Sequence, residues 1–306
     1  MPEQPAVVGL GQCSLDYLGR LSDFPVRDQK AELDEFLVQG GGPTATALVT
    51  LARIGIATAF LGRVGDDAAG ETIRDGLLAE GVDCRGLLVD VGCTSQIAFC
   101  AVDVAAGRTI FWHRGSARPL ETQDVDFEQI GSASVLLLDG LQVEASLAAA
   151  QYARQHRVTT ILDGGSWREG STELLPWIDH LVVSEKFAYQ YAGKNLKTAL
   201  TDLATHGAAV TITCGSKGSL SCAVDGSHFA MPAFPVLAVD TTGCGDVFHG
   251  GYIYGLLQDW SLPETVRFAA ACAALKTRAL GGRTAIPNRT EVETFLAEHE
   301  GVRPLF

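Results

Sequence analysis

Short apolar runs alternate with stretches of helical periodicity along most of this chain, and that alternation restricts its possible folds more than any other feature. Residues 6–11, 58–64, 135–139, 159–163, 181–184 and 210–214 are strand-like, being short and rich in Val, Ile and Leu. Residues 45–54, 68–80, 144–156 and 196–206 carry apolar positions at helical spacing. Strands and helices in this order predict an α/β class protein, a mostly parallel sheet with helices on both faces. Two interruptions break the pattern. The region from about 17 to 38, and the pair 96–103 and 108–114, alternate apolar and polar residues as half-exposed antiparallel strands do. Ala105-Ala106-Gly107 would turn the second pair into a hairpin, with Gly107 as the permissive residue. The two interruptions lie far apart in sequence, so they predict one small sheet, formed by about 12–38 and 96–114. It would project as a lid from a single domain spanning residues 1–306.

The run Asp240-Thr241-Thr242-Gly243-Cys244-Gly245-Asp246-Val247-Phe248-His249-Gly250 is where chemistry is concentrated. Residues 234–239 before it are apolar and β-prone, and residues 246–257 place apolar side chains at helical spacing, which predicts a strand, a turn and a helix N-terminus. Unpaired N–H groups and the positive end of the helix dipole meet at such a turn and favour anionic oxygen. Gly243 and Gly245 let the backbone approach a ligand, and Asp246 stands where a carboxylate can take a proton from a hydroxyl held there. The plainer reading is that Asp240 or Asp246 caps the helix and that the glycines form an ordinary turn.

Composition narrows the partners. The formal charge of −13 argues against nucleic acid or an anionic membrane as the main partner. No segment approaches 18 uninterrupted apolar residues, and no basic region precedes the first apolar run, so a cytoplasmic protein is expected. The 8 cysteines form no C-x-x-C pair and lie mostly in apolar runs, as reduced buried thiols do.

The string DTTGCGDVFHG resembles the C-terminal signature of the PfkB, or ribokinase-like, carbohydrate kinase family, usually DTxGAGD, with Cys244 where Ala is usual. Gln39 to Ala47, QGGGPTATA, is similar to that family's N-terminal signature GGxxxNxA, with Thr44 or Thr46 in place of its Asn. Ala52-Arg53-Ile54-Gly55 and then Gly62-Arg63-Val64-Gly65-Asp66-Asp67 follow in the family's order, and the resemblance runs from Gly9 to Pro287. Within the family the pattern looks most like the sulfofructose kinase type, with Lys30 at that type's lysine position. The positions of its sulfonate-contacting Arg and Asn are Leu141 and His113 here.

The resemblance implies a three-layer ribokinase-like fold, ATP with Mg²⁺, and transfer of the γ-phosphoryl group to a sugar hydroxyl. It also admits a monovalent cation such as K⁺. Asp246 would be the base and the amides of Gly243, Cys244 and Gly245 the anion cradle. Asp16, after the first strand, would hold sugar hydroxyls together with Gly41, Gly42 and Thr44, and Lys30, His113 or Arg114 would meet an anionic sugar. Thr213, Gly215 and Gly218 match a T-x-G-x-x-G turn at the nucleotide, and Cys272 and Gly282 fall at the adenine site. Ser184-Glu185-Lys186-Phe187 replaces the family's N-x-x-E, which assigns Ser184 to the nucleotide and Glu185 to the metal through a water. The lid strands, carrying Val102, Ile110 and Trp112, are expected to pack between two subunits of a homodimer.

Other readings compete. A nucleoside kinase of the same fold and an idle sugar- or nucleotide-binding regulator fit many of the same residues. A nicotinamide dehydrogenase needs G-x-G-x-x-G after the first strand, but Gly9-Leu10-Gly11-Gln12-Cys13-Ser14 stops at the second glycine. No GxxxxGK with Ser or Thr after it exists for a P-loop enzyme.

Overall fold

A computed structural model describes residues 4–193 and 195–306. The strands are β1 (Val7–Leu10), β2 (Ser14–Arg20), β3 (Glu35–Gly41), β4 (Thr58–Gly65), β5 (Leu87–Asp90), β6 (Ile97–Val102) and β7 (Arg108–His113). They continue as β8 (Val135–Leu138), β9 (Thr159–Gly164), β10 (His180–Ser184), β11 (Ala209–Thr213), β12 (Ser219–Cys222) and β13 (His228–Met231). The helices are α1 (Pro43–Ile54), α2 (Ala68–Ala79), α3 (Phe127–Ser132), α4 (Val143–His156), α5 (Ser171–Leu174), α6 (Glu185–Ala192), α7 (Leu196–Ala204), α8 (Cys244–Leu257), α9 (Leu262–Lys276) and α10 (Arg289–Glu298).

Nine strands form the main sheet in the order β13-β12-β11-β10-β9-β8-β1-β4-β5, parallel from β11 to β5 and antiparallel at β12 and β13. Both faces are covered because successive side chains point to opposite sides. Val7, Val135, Leu137, Ile161 and Val182 face a core with α1, α8 and α9. Val8, Leu10, Leu136, Leu138, Leu162 and Val183 face a second core with α4, α6 and α7. Each such side chain, fully buried, contributes about 1.5–3 kcal/mol. The order reverses at β1, with β4 and β5 laid to one side and β8 onward to the other, and ligands bind beyond the C-terminal strand ends at such a reversal.

The smaller sheet has the order β3-β2-β6-β7. The expectation of antiparallel strands holds for β2 with β3 and for β6 with β7, but β2 and β6 pair in parallel. These two strands come from separate segments, each entering the sheet from the body in the same direction. The hairpin turn also differs from expectation. Ala106, not Gly107, takes the positive φ, at 61°. Asp103 Oδ1 accepts the Ala105 and Gly107 amides at 2.8 and 3.0 Å, and this carboxylate fixes the turn. Register puts Asp16, Gln39, Ala98 and Trp112 on one face, and Tyr17, Val38, Phe99 and Phe111 on the other. No helix among the described residues is long and apolar enough to cross a membrane.

Candidate functional site

The turn before α8 is open to a ligand. Gly243 is the N-cap of α8 in the left-handed conformation, φ 73°, with no side chain bonded over the first amides. A Cβ there would lie 2.9 Å from Gly282 Cα, so only glycine lets the terminal loop pack on the turn. Capping by Asp240 or Asp246 is therefore not what the acids do. Asp240 is fully buried and joins the two loops, its Oδ1 accepting the Thr242 amide and its Oδ2 the Gly281 amide, both at 2.7 Å. The segment 234–239 is not a strand, contrary to its β-prone composition. The amides of Val239 and Asp240 donate to Thr277 O instead, so the end of α9 anchors the turn from behind.

Asp246 sits in the first turn of α8, half-buried, beside Gly243, Cys244 and Gly245. Burial raises its pKa, and His249, Arg108, Lys276 and Arg283 oppose the rise by favouring the carboxylate. One turn on, His249 Nδ1 lies 2.7 Å from Gly245 O and Nε2 2.9 Å from Val182 O. Both ring nitrogens thus face carbonyl oxygens, which only accept. Asp163, at the end of β9, lies 3.4 Å from the same ring.

Burial lifts the Asp163 carboxyl to about 7. The folded state thus holds this proton more tightly than the unfolded chain, whose carboxylate titrates near the ordinary value of about 3.9. Its contribution to stability is complete below that lower value and is lost as pH rises through about 7. Asp163→Asn removes the titration. Thermal midpoints measured at about pH 5 and about pH 8 should fall less for the variant than for the parent, and an identical fall in both would exclude Asp163 as the source.

The side expected to take the acceptor is built on β2 and β3. Asp16 is buried, accepts from Ser14 Oγ at 2.6 Å, and has its pKa raised by burial, with Arg283 opposing and Asp246 adding to the rise. A Cβ on Gly41 would fall 2.0 Å from Asp16 Oδ2, so the carboxylate lies directly over that glycine's backbone. Gly42 has φ 93° and starts α1. Arg283 was not foreseen, although it follows Gly282 directly. It is buried, held down at about 10 by burial, and donates to Gly41 O at 3.1 Å and Thr46 Oγ1 at 3.3 Å. The Thr46 hydroxyl, at one of the two positions considered for the missing Asn, is therefore used by an arginine.

Three expected acceptor residues stand elsewhere. Thr44 is fully buried and donates to Asp139 Oδ2 at 2.9 Å, so it orders the end of β8 and is withdrawn from the sugar. His113 is in register with Leu15 and Ile97, which puts it on the sheet face opposite Asp16, and its Nδ1 accepts the Gly115 amide. Lys30 is exposed in the β2–β3 connection, among exposed neighbours. From the hairpin comes a residue the sequence did not single out: Arg108 Nη1 donates to Thr241 Oγ1 at 3.0 Å, and Thr241 Oγ1 donates to Ala106 O at 3.0 Å. The hairpin tip is thereby bonded to the cradle.

On the side expected to take the nucleotide, Thr213 ends β11, and Gly215 and Gly218 bracket a short turn with φ of 57° and 89°. The Ser184 hydroxyl is occupied, donating to Gly165 O at 2.9 Å and accepting the Phe187 amide as the cap of α6. Cys272 is fully buried in the seam with Gly251, where a Cβ would meet its sulfur at 3.0 Å, so it packs α8 on α9 and is not open to adenine. Gly282 faces Thr242 and Gly243 across the loop contact. Glu185 Oε1 takes the Tyr189 hydroxyl at 3.0 Å and the Lys217 ammonium at 3.2 Å. No group of three His, Cys, Asp or Glu among the described residues forms a metal cage. This donor set fits an ion carried in on nucleotide phosphates, which demands few protein ligands.

Comparison with known proteins places this geometry. The profile described as pfkB family carbohydrate kinase matches residues 4–289. The chain is 28% identical over 291 residues to 5-dehydro-2-deoxygluconokinase of Geobacillus thermodenitrificans, covering 87% of this chain and 86% of that one. It is 29% identical to ribokinase of Haemophilus influenzae, covering 95% and 97%. Among solved structures, ribokinase from Thermotoga maritima superposes with a TM-score of 0.83 at 25% identity, covering 96% and 99%. Arabidopsis thaliana ribokinase complexed with ribose and ATP gives 0.83 at 24%, over 96% and 99%, a likeness of fold. With the match spanning nearly the whole sequence, the chain belongs to the pfkB family of carbohydrate kinases.

Proposed function

We propose that this chain transfers the γ-phosphoryl group of ATP to a hydroxyl of a monosaccharide or sugar derivative, with Asp246 as general base. The observation that carries the reading is the placement of an Asp246 carboxylate beside uncapped helix amides and within electrostatic reach of Asp16. Asp16 and the Gly41-Gly42 backbone orient the sugar. Asp246 takes the hydroxyl proton as the oxygen bonds to the γ-phosphorus, the bond to ADP breaks, and the amides of Gly243 to Gly245 hold the developing charge. Mg²⁺ carried on ATP would neutralise phosphate charge, and Glu185 is the residue proposed to hold it, through a water. Thr213, Gly215 and Gly218 receive the nucleotide. Burial raises the Asp246 pKa above the ordinary carboxylate value, which makes the carboxylate a stronger base.

The small sheet acts as the lid, excluding water through the bond between Arg108 and Thr241. All six residues of β7 are exposed, Phe36 and Phe111 each to 56%, and an exposed apolar edge strand of this kind is normally covered. A second copy of the chain is its proposed cover. Phe111→Glu should convert a dimer to a monomer in light scattering and raise the sugar KM several-fold; a parent that scatters as a monomer at full activity ends the idea. Free thiols at all eight cysteines suit a cytoplasmic setting. Coupled ADP release tests the function against ketoses, aldoses, acidic and sulfonated sugars and nucleosides. Sugar-dependent release is expected; release with nucleosides alone would move the assignment, and none with any acceptor would favour a binding protein.

A further inference from the structure

The family resemblance admits a monovalent cation, and the structure shows why the residues behind the cradle do not fit one. K⁺ is held by carbonyl and carboxylate oxygens free to replace its water. The carboxylate in the turn 240–243 is that of Asp240, fully buried, with an amide already bonded to each oxygen. Oδ1 accepts the Thr242 amide and Oδ2 the Gly281 amide. The backbone oxygen of Asp240 accepts from Lys276 Nζ at 2.9 Å.

Lys276 is the last residue of α9 and is fully buried, a rare state for a lysine. Burial works against its charge, but three features of its surroundings favour the ammonium. The Asp240 carboxylate is its strongest electrostatic partner, Asp246 adds to it, and Arg108 opposes. The C-terminal end of α9 carries the negative pole of that helix dipole. The side chain also bonds the turn that carries Gly243, at Asp240 O.

We propose that the Lys276 ammonium is the resident cation of the phosphate cradle, supplying from within the chain what a soluble monovalent ion would supply, so that turnover needs no K⁺. The inference rests on the proposed kinase reading. It adds a residue outside the signature motif: Lys276 positions the turn and lends it positive charge without touching substrate.

The test compares the full chain in a buffer whose only monovalent cation is tetramethylammonium with the same buffer containing saturating KCl or NH₄Cl. The parent kcat should agree within about twofold between salts, and its thermal midpoint should be indifferent to K⁺. Lys276→Met, confirmed as folded by circular dichroism, should lose roughly 10²-fold in kcat without K⁺ and recover part of it with NH₄⁺ or K⁺, which fit the space left by the ammonium. A parent stimulated tenfold or more by K⁺, or a folded Lys276→Met with parental turnover, overturns the proposal. If the variant does not fold, the parent salt comparison decides. If no sugar supports turnover in either salt, the kinase reading fails separately. ATP affinity by calorimetry in the two salts then decides the cation question, with equal affinities supporting the proposal and K⁺-dependent affinity overturning it.

Discussion

Asp246→Asn should lower kcat by roughly 10²- to 10⁴-fold while leaving KM for ATP nearly unchanged. The amide keeps the size and shape of the side chain but cannot accept the hydroxyl proton. Nothing structural should compensate or confuse the result, because among the described residues no side-chain hydrogen bond of Asp246 is broken. Its pKa is raised chiefly by burial, so a neutral amide is tolerated in that environment at least as well as the carboxylate. The variant is therefore expected to unfold at or above the parent temperature. Turnover within a few-fold of the parent would take the base role away from Asp246.

Asp16→Ala should act on the sugar and not on the nucleotide, lowering kcat/KM for the sugar about 10- to 100-fold through the loss of charge-assisted hydrogen bonds worth about 1.5–3 kcal/mol. Two independent features support Asp16 as the proposed acceptor ligand. It lies on the sheet face shared with Gln39, Ala98 and Trp112, and it lies over the Gly41 backbone so closely that a Cβ would come within 2.0 Å of its carboxylate. Gly41→Ala should therefore copy part of the defect by displacing that carboxylate while the carboxylate itself remains. Steady-state kinetics with sugar and ATP varied separately resolve the two effects. Unchanged sugar kinetics with weakened ATP binding would mean that the sugar and nucleotide sites have been exchanged.

Much of the body was legible from periodicity because parallel strands buried on both faces must be apolar throughout. Val135 to Leu138 is an example, with all four side chains buried. The turn at Gly243 was legible too, since its left-handed backbone and the approach of Gly282 leave glycine as the fitting residue. What escaped was set by long-range partners. Residues 234–239 have strand composition, but the amides at their end are drawn to Thr277 O. Thr44 and Thr46 were equal substitutes for a missing Asn in the sequence, and only packing shows that one serves Asp139 and the other Arg283. His113 lies one position out of phase with Asp16 in the register across β2, β6 and β7, a difference that one strand's pattern does not contain. Arg108, Arg283 and Lys276 belong to no local motif that singles them out, and only the fold brings them to the site.

Phosphorus-31 NMR of the chain incubated with ATP, Mg²⁺ and each candidate sugar tests phosphoryl transfer to a sugar hydroxyl most directly. The expected result is a new phosphomonoester resonance that grows in equal amount with ADP, for the parent and not for Asp246→Asn. ADP appearing with inorganic phosphate alone, or ATP left intact with every sugar, would contradict it.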